Sequence, residues 1–226
     1  MDNLVSYPFF IYIKYRSVIC ATIIFMKYIV GIDEVGRGPI AGPVAVCVFV
    51  CEPAFFENTI DIPLRDSKKL TKKQREKWFD FFKTEKEKGK CNFAVSYVSA
   101  EWIDKVGIVR AIQKALDTSL SKVVDNEDFS SVSIFLDGGL KASKEYMHQE
   151  TIIKGDELHP VISCASIVAK VSRDTLMRKY AIEFPDYGFE NHVGYGTAYH
   201  YSAIKKHGLT VLHRKSFIKN FSRAIS

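Results

Sequence analysis

The chain has 226 residues, of which 47% are hydrophobic and 26% charged, which is the composition of a globular protein and excludes an intrinsically disordered one. Its net charge of +6 is compatible with a polyanionic partner but does not require one. The five cysteines, at positions 20, 47, 51, 91 and 164, form no Cys-x-x-Cys pair, which argues against structural zinc or a disulfide framework and favours reduced thiols in the cytoplasm.

Residues 1–25 differ from the rest of the chain. They are apolar and aromatic, but Lys14 and Arg16 interrupt them, and the uncharged stretch that follows is too short to cross a bilayer. The ordered regions of a signal peptide are also missing. We interpret residues 1–25 as an extension or a misassigned start ahead of one domain at 26–226, with a membrane anchor as the alternative.

Hydrophobic periodicity predicts strands and helices in alternation along the remainder. A strand at 28–33, a glycine-rich turn and a strand at 43–51 come first, and a loop at 52–63 follows. Thr71-Lys72-Lys73-Gln74 has the form of a capping box, which predicts a helix ending near Lys86. The later elements are strands at 91–98, 132–136 and 152–153 and helices at 108–120, 163–184 and 197–207. This order predicts a mixed α/β fold.

Four carboxylates follow predicted strands. Asp33 and Glu34 end the first strand, Asp137 follows Ile-Phe-Leu, and Asp156 follows the short strand. Each acid taken singly is typical of a turn, but neighbouring strands would bring all four to one rim of the sheet. Such a cluster of oxygen ligands suits two divalent ions at a phosphoryl group. Because adjacent side chains on a strand point to opposite faces, we expect a bend at Glu34.

The turn after these acids also fits a dinucleotide-binding fingerprint, Gly-x-Gly-x-x-Ala, at 36–41. However, Pro39 and Pro43 lead into a strand, and no helix follows whose N-terminus could hold a pyrophosphate. We therefore exclude a dinucleotide site.

Several basic and small polar residues are candidates for contact with a nucleic acid. Lys72 and Lys73 lie in a first helical turn, where a phosphate would offset the unfavourable dipole, although a solvated charge run is the usual explanation. The spacing of five polar residues places them on one face of the long helix: Ser163, Ser166, Lys170, Arg173 and Asp174. We give equal weight to two interpretations of this face, a set of phosphate contacts and a charged stripe on the protein surface. Tyr195, between two glycines, would stack on a sugar or base or act as a hydrophobic staple.

These motifs together resemble type 2 ribonuclease H in its bacterial form, from about Lys27 to Phe217. The matching segments are Gly31-Ile-Asp-Glu-Val-Gly-Arg-Gly-Pro-Ile-Ala-Gly-Pro-Val, Asp66-Ser-Lys-Lys-Leu, Leu136-Asp-Gly, Lys154-Gly-Asp, Ile162-Ser-Cys-Ala-Ser-Ile-Val-Ala-Lys-Val-Ser-Arg-Asp, Tyr187-Gly-Phe, Gly194-Tyr-Gly-Thr, His200 and His213-Arg-Lys-Ser-Phe. Their order and spacing agree with the family throughout.

The resemblance implies a ribonuclease-H-like mixed sheet flanked by helices, with a small C-terminal helical part. It implies that the acids bind Mg²⁺ or Mn²⁺, two ions in the catalytic complex: Asp33, Glu34, Asp137 and Asp156. Gly36, Arg37 and Gly38 would read the 2′-hydroxyl of a ribonucleotide, and Tyr195 would pack on the sugar of the following deoxynucleotide. The implied phosphate contacts are Lys68, Lys69, Ser163, Ser166 and Lys170.

The implied reaction is hydrolysis on the 5′ side of a ribonucleotide, in RNA/DNA hybrids and in duplex DNA, leaving 3′-hydroxyl and 5′-phosphate ends. We expect a cytoplasmic monomer with no membrane partner. The chain departs from the family pattern at Gly139, Cys164 and Val193, none of which is a carboxylate. Asp174 is an alternative to Asp156 as the fourth catalytic carboxylate. We expect Asp174 instead to pair with a neighbouring basic side chain.

Two alternatives remain at this point. A related nuclease acting on branched DNA would use the same acids, but a loop that senses a 2′-hydroxyl would serve no purpose there. A catalytically silent nucleic-acid-binding protein would gain nothing from four carboxylates facing phosphate.

Overall fold

A computed structural model describes residues 27–58, 69–124 and 131–218. The strands are β1 (Tyr28–Val35), β2 (Val44–Cys51), β3 (Cys91–Val98), β4 (Val132–Asp137) and β5 (Gln149–Ile152). The helices are α1 (Lys72–Glu87), α2 (Ala100–Val106), α3 (Ile108–Ser121), α4 (Gly155–Leu158), α5 (Pro160–Glu183), α6 (Phe189–His192) and α7 (Ala198–His207). Short 3₁₀ helices cover Pro53–Asn58 and Pro185–Tyr187.

The strands form one mixed sheet in the order β3-β2-β1-β4-β5. β1 pairs with β2 in an antiparallel manner and with β4 in a parallel manner, and β5 continues the parallel half. The central position of β1 explains why its side chains are apolar on both faces, since helices cover both sides of the sheet.

Two hydrophobic clusters cover the two faces of the sheet, and a third lies beyond it. The first joins Val30 and Ile32 of β1 to α3. The second joins Ile29 to α5 and to the buried Trp78 and Phe82 of α1. The third holds the C-terminal helical part together: Ile40, Ala41, Met177, Tyr187, Phe189, Ala203, Ile204 and Ile218. The predicted mixed sheet with flanking helices and a C-terminal helical part is confirmed.

The predicted strands and helices agree with the structure in type, and the differences have local causes. The predicted loop at 52–63 contains the 3₁₀ helix Pro53–Asn58, and positions 59–63 lie outside the described residues. Thr71 and Gln74 form the expected capping box. The helix at Ala100–Val106 was not predicted; Ser99 caps its first turn and Gly107 separates it from α3. The long helix begins at Pro160 rather than at 163, because proline is well suited to the first helical turn. The last strand begins at Gln149 and excludes Ile153.

The predicted bend at Glu34 is wrong. β1 stays in register with β2 through Val35, with Glu34 opposite Val46. Its pairing with β4 ends earlier, at Ile32 opposite Leu136. The parallel neighbour therefore stops while the antiparallel neighbour continues, and the rim opens beside Asp33 without any break in β1.

Cys47, Cys51, Cys91 and Cys164 are buried free thiols, as predicted. Among the described residues, no helix is both long and apolar enough to cross a membrane. The extension at residues 1–25 and the candidate phosphate contact Lys68 lie outside the described residues.

Candidate active site

Asp33 and Asp137 lie next to each other at the carboxyl ends of two parallel strands. The register pairs Ile32 with Leu136, so the next residue on each strand is an acid. Both acids project on the α5 side of the sheet, because Ile29 and Phe135, an even number of positions away, pack in the α5 cluster. Repulsion between the two carboxylates contributes to the raised pKa of Asp33.

α5 comes unusually close to β1 at Gly31. A Cβ atom at position 31 would lie 2.1 Å from the carbonyl oxygen of Val161, so only glycine fits there. This approach brings the first turns of α5 over Asp33, which is 7% exposed. The Ser166 side chain hydrogen-bonds the Asp33 carboxyl group and thereby opposes the rise in its pKa. The backbone N–H of Glu34 donates to Oδ1 of Asp33 at 2.8 Å.

Asp137 and Asp156 are joined through the short helix α4. The backbone N–H of Gly155 donates to Oδ1 of Asp137 at 2.6 Å. Asp156 follows in the first turn of α4 and is 2% exposed. The Ser163 hydroxyl donates to the carbonyl of Asp156 at 2.7 Å. Because this hydroxyl is buried against the backbone, Ser163 holds the segment that carries Asp156.

Glu34 is on the opposite face of β1 from Asp33 and is half-buried. Burial raises its pKa first and Asp137 raises it further, while Arg37 lowers it. The Arg37 guanidinium lies 3.5 Å from Oε1 of Glu34. Glu34 therefore faces the rim from the side of the Gly-Arg-Gly turn.

The electrostatics of this cluster favour a cation. Burial is the main cause of the raised pKa of Asp33, and the charges of Asp137, Glu34 and Asp156 raise it further. Within residues 27–58, 69–124 and 131–218, no three acidic, histidine or cysteine side chains are yet gathered into a metal-holding set. Like-charged carboxylates repel, so drawing their oxygens to one point requires a positive charge. A purely carboxylate donor set fits a hard ion such as Mg²⁺ or Mn²⁺.

Two buried arginines hold the Gly-Arg-Gly turn against this rim. Arg214 is fully buried and donates from Nη2 to the carbonyl of Gly36 at 2.6 Å, from Nη1 to that of Arg37 at 3.1 Å and from Nε to that of Gly42 at 3.0 Å. Burial and the neighbouring Arg173 lower the pKa of Arg214 to about 9. It therefore keeps its charge at pH 7.

Arg173 supports the same loop from α5. It is fully buried and donates to the carbonyls of Ala41, Pro43 and Val193. A Cβ at position 36, where φ is +84°, would lie 2.2 Å from Nε of Arg173. Arg173 is thus neither a surface residue nor a phosphate contact of an exposed helix face, and both sequence interpretations of it are wrong.

The loop that carries Tyr195 adjoins the Gly-Arg-Gly turn. The Gly194 carbonyl accepts hydrogen bonds from the N–H groups of Ile40 and Ala41 at 2.9 and 3.1 Å. A Cβ at Gly38 would lie 3.8 Å from the Tyr195 ring, and Tyr195 is 45% exposed. The two loops form one continuous surface beside the carboxylates.

The remaining candidates lie around this surface. Lys69 pairs with Glu157 of α4 at 2.6 Å. Lys170 pairs with Asp174 at 3.0 Å. The expectation that Asp174 pairs with a neighbouring basic side chain is therefore confirmed. In the sequence, Arg214 stands only as part of the segment His213-Arg-Lys-Ser-Phe and has no assigned role. No local pattern in the sequence indicates that Arg214 is buried against the Gly-Arg-Gly turn.

Comparison with known proteins identifies relatives of this chain. The family model described as Ribonuclease HII matches residues 30–220. A ribonuclease HII of Ruminiclostridium cellulolyticum is 43% identical over 196 residues, covering 86% of this chain and 71% of the relative. The solved structure of ribonuclease H2 from Pyrococcus horikoshii OT3 aligns with a TM-score of 0.65 at 24% identity, over 88% of this chain and 98% of that one.

A structure of Bst ribonuclease HIII in complex with Mn²⁺ aligns with a TM-score of 0.66 at 16% identity, over 92% of this chain and 73% of that one. At these identities the two structural matches bear on the fold alone.

Proposed function

The chain belongs to the ribonuclease HII family, and we propose that it hydrolyses the phosphodiester bond on the 5′ side of ribonucleotides, in RNA/DNA hybrids and at single ribonucleotides in duplex DNA. The products would carry 3′-hydroxyl and 5′-phosphate ends. The observation that carries the proposal is that Asp33 and Asp137 follow the last paired residues at the carboxyl ends of β1 and β4, beside the joined Gly-Arg-Gly and Tyr195 loops.

The proposed cofactor is Mg²⁺ or Mn²⁺, with two ions in the catalytic complex. The residues that would hold them are Asp33, Glu34, Asp137 and Asp156. Bound ions of this kind supply an activated water and neutralise charge on the phosphate. Hydrogen bonds within the chain orient the carboxylates. Ser166 bonds Asp33, the Gly155 amide bonds Asp137, and Ser163 bonds the backbone of Asp156.

Recognition of the ribonucleotide falls to the two adjoining loops. Gly36, Arg37 and Gly38 would contact the 2′-hydroxyl, since glycine lets the backbone approach the sugar closely. Tyr195 exposes its ring beside Gly38, where it would pack on the next sugar. The proposed phosphate contacts are Lys68, Lys69, Ser163, Ser166 and Lys170. The two lysines with acidic partners would exchange them for phosphate.

We further propose that residues 26–226 form the catalytic unit and that the protein acts as a cytoplasmic monomer. Residues 1–25 would add nothing to the reaction, so a chain starting at Met26 should cleave as the full chain does.

The test uses a labelled DNA duplex with one ribonucleotide, beside an all-DNA duplex, each with Mg²⁺ or Mn²⁺. The expected result is a cut 5′ of the ribonucleotide only, lost in Asp33→Asn and retained in Asp80→Asn, a matched change at an exposed acid of α1. Cutting of the all-DNA duplex would instead indicate a nuclease for another DNA structure. Binding without cutting under either metal would indicate a binding protein.

A further inference from the structure

Three histidines surround the Tyr195 loop, and the proposed reaction assigns none of them a role. His200 and His213 are 0% and 2% exposed. His192 stacks on His200 with ring centroids 4.4 Å apart. Such a group of rings inside the C-terminal helical part needs a reason beyond filling space, because each ring brings two polar nitrogens into the interior.

The partners of His213 decide which of its nitrogens carries a proton. Its Nδ1 lies 2.9 Å from the backbone nitrogen of Thr210, which can only donate. Nδ1 must therefore accept, and the proton of a neutral His213 ring is on Nε2. That Nε2 lies 3.1 Å from Nε2 of His200.

The arrangement continues through His200 to the Tyr195 loop. Because His213 donates, Nε2 of His200 accepts, and the His200 proton is on Nδ1. This nitrogen lies 2.8 Å from the carbonyl oxygen of Tyr195, which can only accept. The backbone donor at Thr210 and the backbone acceptor at Tyr195 thus require the same pair of tautomers: His213 protonated on Nε2 and His200 protonated on Nδ1. Burial lowers the pKa of both rings to about 4, so both are neutral at pH 7.

Hydrogen bonds also hold the peptide groups of Val193 and Gly194, which precede Tyr195. The Gly194 N–H donates to Nδ1 of His192 at 3.2 Å, and the Gly194 carbonyl accepts from Ile40 and Ala41. Arg173 donates to the carbonyl of Val193. The Tyr195 ring, by contrast, is exposed and lies beside Gly38.

We propose that His213 and His200 are positioning residues that act in series on the Tyr195 carbonyl and so fix the Tyr195 ring relative to the Gly-Arg-Gly turn. The inference rests on the proposed function in one respect: the ring must contact the nucleotide. The histidines touch no substrate themselves. They set how well a ribonucleotide junction is bound.

The first test reads the protons directly and is independent of activity. In ¹⁵N-labelled full-length protein at pH 7, long-range proton–nitrogen NMR correlations distinguish the two neutral forms of each imidazole. We expect His200 protonated on Nδ1 and His213 on Nε2, assigned with single-residue variants. The opposite form of either ring would break the series and overturn the proposal.

The second test is kinetic and uses the duplex with one ribonucleotide. His200→Phe keeps a ring of similar shape but cannot donate to Tyr195. We expect KM to rise about 10-fold, the scale of one lost buried hydrogen bond, with kcat changed less than about 3-fold. His200→Asn places an amide N–H where Nδ1 was and should restore most of the loss. His207→Phe, on the same helix but exposed, is the matched control.

A double-mutant cycle separates positioning from general damage. In a Tyr195→Ala background, His200→Phe should change KM less than about 2-fold, because the ring it positions is gone. An undiminished effect in that background, or no effect in the wild type, would contradict the proposal. If the wild type does not cleave, the proposed function fails, and duplex affinity measured by fluorescence anisotropy with the same variants decides the positioning role separately.

Discussion

Asp33 carries a carboxyl group that is 7% exposed and lies in the field of three other acids. Burial and these charges hold its pKa well above the usual value, so the ionised form destabilises the fold at pH 7. The Asp33 carboxylate therefore costs stability that a bound cation would restore.

Asp33→Asn should raise stability while abolishing cleavage. The amide oxygen keeps the hydrogen bond from Glu34 N–H, and the charge is removed. In buffer with EDTA we expect a gain of about 1 kcal/mol, or about 2–4 °C in Tm by scanning calorimetry. Asp80→Asn should leave Tm within about 1 °C. A lower Tm for Asp33→Asn would contradict the electrostatic account.

Lys154 adopts a left-handed conformation, with φ of 57° just before α4. Its side chain is exposed, so little packing depends on it. Non-glycine residues other than asparagine and aspartate rarely adopt this conformation, and the cost is about 1 kcal/mol.

Lys154→Asn should therefore stabilise the protein by about 0.5–1 kcal/mol in urea unfolding. Lys144→Asn is the control, because Lys144 is also exposed in a loop but has no positive φ. Equal effects of the two changes would indicate a charge effect rather than relief of backbone strain.

At the scale of elements, the loop between β1 and β2 depends on arginines from distant segments. Arg214 and Arg173 together donate to carbonyls along positions 36–43. Without these arginines the carbonyls would lose their guanidinium donors, and each buried carbonyl left without a donor costs about 1–3 kcal/mol.

Arg214→Leu should reduce the free energy of unfolding by about 2–4 kcal/mol, since loss of the buried charge offsets part of the lost hydrogen bonds. Urea denaturation measures this loss. Arg178→Leu, at a partly exposed arginine of α5, should cost less than about 1 kcal/mol. A stable Arg214→Leu protein that still selects ribonucleotides would show that the loop holds its shape alone.

At the scale of the whole molecule, stability should depend on pH through buried histidines. Burial lowers the pKa of His159, His200 and His213 to about 4, whereas the unfolded value is about 6.5. As pH falls below about 6.5, the unfolded chain binds protons that the folded chain does not. The histidine contribution is therefore complete above pH 6.5 and declines steadily towards pH 4.

Urea midpoints at pH 7 and pH 5 measure this decline. The raised pKa values of Asp33 and Glu34 act in the opposite direction, so each histidine is judged by its own variant. His159→Phe retains an aromatic ring against Phe135, on which His159 stacks, but cannot be protonated. It should lose less stability between the two pH values than the wild type does, and an equal loss would exclude His159 as a contributor.

Sequence and structure agree best where local chemistry decides. The capping box at Thr71, the apolar strand ending in Asp33 and Glu34, and the order of strands and helices all follow from short-range patterns. The four acids and the two glycine-bounded loops were also identified as site candidates from the sequence. These features depend on periodicity, caps and turn residues, which act over a few positions.

The sequence by itself thus identified the candidate acids and loops, whereas the tertiary structure decided how they are held. Arg214 reaches the carbonyl of Gly42 across 172 positions, and His213 reaches His200 only because the C-terminal helical part folds back. The opening of the rim beside Asp33 likewise depends on which neighbour of β1 ends first. The burial of these side chains and the tautomers of the two histidines arise from contacts between separate segments, and no local pattern in the sequence encodes them.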